Sequence, residues 1–217
     1  MRSESGTLGA SAVSPAADAH HEHRDDIGSK TGMWLFLFTE LLLFGGLFIV
    51  YAVYRHKYGT EFHEAAHELN KVMGVTNTFV LLTSSLTMVL SVGALQRARV
   101  AESLRWLGAT FGLACCFLVI KFFEWSAKHH HGIWPGGEHL HGMPPGEGMF
   151  FNLYFMMTGL HGIHVLVGMA VMGVIAARIR SGHVSPSRFA ALEFTGLYWH
   201  LVDLVWIFLL PLFYLTN

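Results

Sequence analysis

Three histidines in apolar surroundings, His161, His164 and His200, are the side chains with which this chain could hold a redox metal. His161 and His164 are three residues apart and share one helical face. A transmembrane haem takes its histidines from opposite sides of the iron, so His200 on another helix could partner either. Acidic groups stand in similar surroundings: Glu40, Glu124, Glu193 and Asp203. In the stretch from Glu193 to Tyr214, EFTGLYWHLVDLVWIFLLPLFY, positions 193, 196, 200 and 203 fall on one stripe of a helix. An ionised group at mid-bilayer costs about 2.5–3.5 kcal/mol on insertion scales. The stripe must therefore look inward, at protein. Buried polar groups mostly satisfy one another, so spacing favours hydrogen-bonded structural histidines over haem ligands.

Two further histidine groups could bind a metal. His63-Glu64-Ala65-Ala66-His67 matches H-E-x-x-H, which on a helix binds zinc with the Glu as base. It falls in a loop between apolar stretches, with no cleft and no positioned third ligand, so a zinc peptidase is disfavoured. His129, His130 and His131 with Glu138, His139 and His141 form a turn-rich segment that reads as a solvated loop. His20, His21 and His23 lie in a polar tail without fixed geometry. Cys115 and Cys116 are adjacent in an apolar run and read as buried thiols. A Gly-rich phosphate loop, a nucleophile elbow and a Cys-rich cluster are all missing from the sequence.

The elements that must position these groups are membrane spans. Of 217 residues 53% are hydrophobic and 13% charged, against about 25% charged in globular domains. A net charge of −1 excludes a nucleic-acid partner. Residues 1–30 read as a disordered polar tail on the cytoplasmic side, with no cleavable signal peptide expected. Residues 31–217 form the membrane domain, with spans over 33–54, 75–95, 104–125, 150–177 and 190–214. The prediction is an all-α membrane protein, a bundle of five transmembrane helices. Thr76, Thr78, Thr83, Ser84, Ser85 and Thr87 suit span two to interhelical hydrogen bonds. Lys121 and Glu124, three apart at the end of span three, can pair.

Basic residues set the orientation. One side carries Arg2, Arg24, Lys30, Arg97, Arg99, Arg105, Arg178, Arg180 and Arg188; the other carries only Arg55, Lys57, Lys71 and Lys128. Positive charge stays inside, which predicts a cytoplasmic N-terminus and a periplasmic C-terminus. At that depth Glu40, His161, His164, His200 and Asp203 could share one polar belt across spans one, four and five. Trp199 and Trp206 are candidates for lipid contact.

Several runs then match one known family. Thr158-Gly-Leu-His161-Gly-Ile-His164 resembles the His-Gly-x-His segment of cytochrome c oxidase subunit III. The Tyr198-Trp199-His200-Leu-Val-Asp203-Leu-Val-Trp206 run is similar to that family's final helix. Phe38-Thr39-Glu40 resembles the helix with its buried glutamate. Asn77-Thr78 with Leu81 to Ser85, and Glu124-Trp125, resemble further elements in the same order. The chain looks like the five-helix bacterial form; the longer form adds two N-terminal helices that wall a lipid-filled cleft.

The resemblance implies a non-catalytic subunit of a respiratory oxidase that reduces oxygen to water and translocates protons, in the bacterial inner membrane. It implies no catalytic, cofactor-binding or metal-binding residue in this chain. Haem and copper belong to partner subunits I and II, with direct packing on subunit I. A small subunit IV, membrane lipids with bound phospholipid, and a respiratory supercomplex are the further partners considered. Glu40, Glu124, His161, His164, Glu193, His200 and Asp203 are expected to form the buried polar network. Alternatives are a quinol oxidase subunit III, a nitric-oxide-reductase accessory protein of the same fold and, more distantly, a haem-binding electron carrier.

Overall fold

The computed structural model describes residues 15–135, 137, 140, 142–186 and 188–215, with side chains from residue 28 onward. The described residues form six helices: α1 (Pro15–Lys57), α2 (Gly59–His67), α3 (Lys71–Gln96), α4 (Val100–His130), α5 (Pro145–Arg180) and α6 (Ala190–Tyr214). Five are long and apolar enough to cross a membrane, over Gly28–Lys57, Lys71–Gln96, Val100–His130, Pro145–Arg180 and Ala190–Tyr214. The five expected spans are present in order. Most are longer than expected, because a helix of 36 residues, about 54 Å at 1.5 Å per residue, outlasts about 30 Å of hydrocarbon.

Two expectations change here. Backbone 15–30, read as part of a disordered tail, is helical. Pro15 suits the first helical position and Ala16, Ala17 and Asp18 suit the first turn. Residues 1–14 lie outside the described residues, and His20, His21 and His23 lie where only backbone is described. The segment holding His63 and His67, read as a loop, is the helix α2. Phe62, Ala65 and Ala66 give it one apolar face to bury.

The chain divides into two units, Met1–Glu40 and Leu41–Asn217. Within the second, α6 packs against both α3 and α5, and α4 packs along α3 and against α5. Trp199, Trp206, Tyr154, Tyr214, Phe117, Phe150 and Phe213 fill the interior. Small residues let the helices close. A Cβ on Gly168 would meet Trp199 at 2.8 Å, and one on Gly74 would meet Tyr214 at 2.7 Å. Outward faces are apolar: Phe79, Phe122 and Phe123 are each more than half exposed, as lipid requires and water would not.

Helix ends follow local chemistry. Asn70 caps α3, its Oδ1 accepting from Val72 N at 3.0 Å and Met73 N at 3.3 Å. Pro145 opens α5 where its missing N–H costs nothing. The Glu61 carboxylate accepts from the backbone N–H of Gly146, seating α2 on that N-terminus. Tyr51 of α1 donates to the Leu212 carbonyl, which the end of α6 leaves without an intrahelical partner.

Candidate functional site

The second unit buries polar groups in two places. The first is built on α4, whose Lys121 and Glu124 stand one turn apart. Lys121 Nζ lies 2.9 Å from Glu124 Oε2 and donates to the phenol oxygens of Tyr154 at 3.1 Å and Tyr214 at 3.0 Å. Tyr214 donates to Glu124 Oε1 at 2.6 Å, and the two phenols are 3.3 Å apart. The ammonium also stands 5.0 Å from the centres of the Trp206 and Tyr154 rings. Both ions are buried, Lys121 being 6% exposed and Glu124 4%. The expected Lys121–Glu124 pair is thus present, and α5 and α6 each add a phenol to it. Nearby, Lys128 donates to the Glu68 carbonyl at 2.7 Å and ties the end of α2 to α4.

The second place is the polar stripe of α6. It faces α3, not the span-four histidines. Glu193 accepts from Gln96 Nε2 at 3.2 Å on the exposed side. His200 Nδ1 lies 2.5 Å from Ser85 Oγ. The Asp203 carboxyl faces Ser84 and Ser85, yet neither oxygen completes a hydrogen bond. Trp199 Nε1 donates to Ser84 Oγ at 3.0 Å, and Trp206 Nε1 to Thr78 Oγ1 at 3.1 Å.

The α5 histidines are separate from that stripe. His161 is fully buried, its ring 5.2 Å from Trp206 and 5.5 Å from Phe117, and neither nitrogen has a hydrogen-bond partner. His164 lies 5.2 Å edge-on from Phe44, and its Nδ1 donates to the Leu160 carbonyl at 2.8 Å. Glu40 ends the first unit of the chain and is half-buried.

Asp203, expected to share one belt with the α5 histidines, faces Ser84 and Ser85 of α3 instead. α6 packs along α3, and the short side chains of Thr78, Ser84 and Ser85 on that helix meet its polar and indole groups. The expectation that Trp199 and Trp206 contact lipid is also overturned, since both are 0% exposed. A buried indole N–H needs an acceptor, and α3 supplies one to each. Of the second histidine-rich segment, His129 and His130 extend α4 and His131 caps it; Glu138, His139 and His141 lie outside the described residues.

A family model described as cytochrome c oxidase subunit III matches residues 12–217. The chain belongs to this family. It is 32% identical over 209 residues to the cytochrome bo(3) ubiquinol oxidase subunit 3 of Pseudomonas aeruginosa, covering 93% of this chain and 94% of that one. It is 29% identical over 213 residues to the cytochrome c oxidase subunit 3 of Thermostichus vulcanus, covering 98% of each. It also matches a heme-copper oxidase subunit I+III of Aeropyrum pernix, 28% identical over 86% of this chain and 22% of that longer one. The chain is thus a subunit III of a haem-copper oxidase, a multi-pass membrane protein.

In this subunit III the polar groups that sequence reasoning missed are Tyr154 and Tyr214. The signal for the tyrosines was Lys121 itself. A lysine inside an apolar run needs more acceptors than one carboxylate supplies. Asn77 lies next to Thr78 on α3, is fully buried, and its amide makes no hydrogen bond.

Proposed function

We propose that this chain is the non-catalytic subunit III of a respiratory haem-copper oxidase of cytochrome c oxidase type, packed on subunit I. It supports proton uptake and the stability of the complex during turnover. The match of the family model along residues 12–217 carries this reading. Packing on subunit I is supported by the Aeropyrum pernix relative, named for both subunits in one chain. Haem and copper reside in subunits I and II.

Within the second unit Glu124, His161, His164, His200 and Asp203 act as internal polar support in separate clusters, Glu124 joined by Tyr154 and Tyr214 and Glu193 lying on the exposed side; Glu40 plays the corresponding part in the first unit. The N-terminus is cytoplasmic and the C-terminus periplasmic, on the strength of the basic loops. A quinol oxidase is the second reading, favoured by the ubiquinol oxidase name of the Pseudomonas aeruginosa relative.

Purification through a tag on this chain in mild detergent tests the proposal. A large haem-copper subunit should co-purify, and the complex should consume oxygen with reduced cytochrome c. Oxygen consumption with quinol alone selects the second reading. Recovery of this chain without a haem-containing partner overturns both.

A further inference from the structure

The His63-Glu64-Ala65-Ala66-His67 segment takes no part in the site above. It forms the second half of α2, whose Phe62, Ala65 and Ala66 are buried. His63 and His67 stand on the exposed face, one helical turn apart. Their Nε2 atoms are 3.4 Å apart and the rings meet at 88°. Two nitrogens, each about 2.0–2.1 Å from a tetrahedral zinc ion, stand about 3.3–3.4 Å from one another. The two ε nitrogens already stand at that separation.

The electrostatic setting favours a cation. Glu64 lies between the two histidines in sequence. Glu147, at the start of α5, is close enough to Glu61, Glu64 and Glu68 to interact with their charge. Of these carboxylates Lys128 takes up Glu68, at 3.5 Å. Among the described residues Glu61, Glu64 and Glu147 make no ion pair with a lysine or arginine, and such carboxylates attract divalent ions.

We propose that His63 and His67 chelate one divalent transition-metal ion of the zinc class on the surface of α2, with solvent completing its coordination shell. No third protein ligand joins them among the described residues, so the zinc-peptidase constellation is incomplete. The ion acts as a clip. It links residues i and i+4 across the last turn of a nine-residue helix, a length at which helices are marginal on their own.

Hydrogen exchange on the whole oxidase complex, with and without micromolar Zn²⁺ alone, tests the clip. Four forms are compared: the parent, His63→Ala, His67→Ala, and a His129→Ala/His130→Ala control that leaves α2 untouched. In the parent and the control, zinc should slow exchange of the 63–68 amides several-fold. Each single variant should lose that slowing and bind one zinc fewer per complex than the parent. Both substituted side chains are exposed, so the variants keep the buried face of α2; His67→Gln provides a second version that retains side-chain length. Unchanged exchange in the parent overturns the proposal. Equal slowing in parent and single variants overturns it too, as does an unchanged zinc count.

Discussion

The two buried polar regions of this bundle solve the same problem differently. Around Lys121, opposite charge and two phenols from three helices leave every charged atom with a partner. Along α6, α5 and α3, Asp203, His161 and Asn77 are buried at least as deeply, yet their side chains complete no hydrogen bond of ordinary geometry, and Asp203 only faces the Ser84 and Ser85 hydroxyls. Desolvating a polar group without a hydrogen bond is costly, and most buried groups avoid it. The first region therefore reads as a joint and the second as a place where ionisable groups are kept at the expense of stability.

Breaking the joint should have the largest effect. Glu124→Ala strands the Lys121 ammonium beside two phenols, and the loss should be about 3–5 kcal/mol, measured as thermal unfolding of the subunit within the complex. The double Lys121→Met/Glu124→Leu variant should lose clearly less than Glu124→Ala alone; an equal loss would mean that charge was never the issue. Next come the close approaches. Gly74→Ala pushes on Tyr214 of the joint and Gly168→Ala on Trp199. Each should cost about 1–3 kcal/mol by overpacking. Double-mutant cycles with Glu124→Ala should show coupling for Gly74 and additivity for Gly168.

Removing one hydrogen bond is milder. Thr78→Val keeps the shape of the side chain, deprives the Trp206 indole of its acceptor and should cost about 1 kcal/mol, read from the same unfolding curves. The smallest expected effect is that of Asp203→Asn. Because the carboxyl faces Ser84 and Ser85 outside ordinary hydrogen-bond geometry, stability should stay within about 0.5 kcal/mol. A loss above about 2 kcal/mol would show that Asp203 is tied down as firmly as Glu124, and the contrast between the regions would collapse.

Much of the fold was legible beforehand, because membrane spans are written in composition. Runs of apolar residues long enough to cross hydrocarbon can do little else, and all five appear as helices. The Lys121–Glu124 pair was legible too, since a three-residue spacing is a local fact of the helix. The helicity of residues 59–67 was missed because a nine-residue helix is held by the face it buries, which sequence order does not reveal. Trp199 and Trp206 were placed toward lipid because an indole suits both a membrane surface and a core.

The sequence by itself determined which faces of the helices are polar and that α6 must turn its stripe toward protein. Only the tertiary structure decided which helix receives it. Period along a helix says where a side chain points, but partner choice depends on which helix packs there, and α6 settles against α3. The hydroxyls of Ser84, Ser85 and Thr78 then take the indoles and His200. That leaves Asp203 and His161 in the interior without the partnership that depth alone had promised.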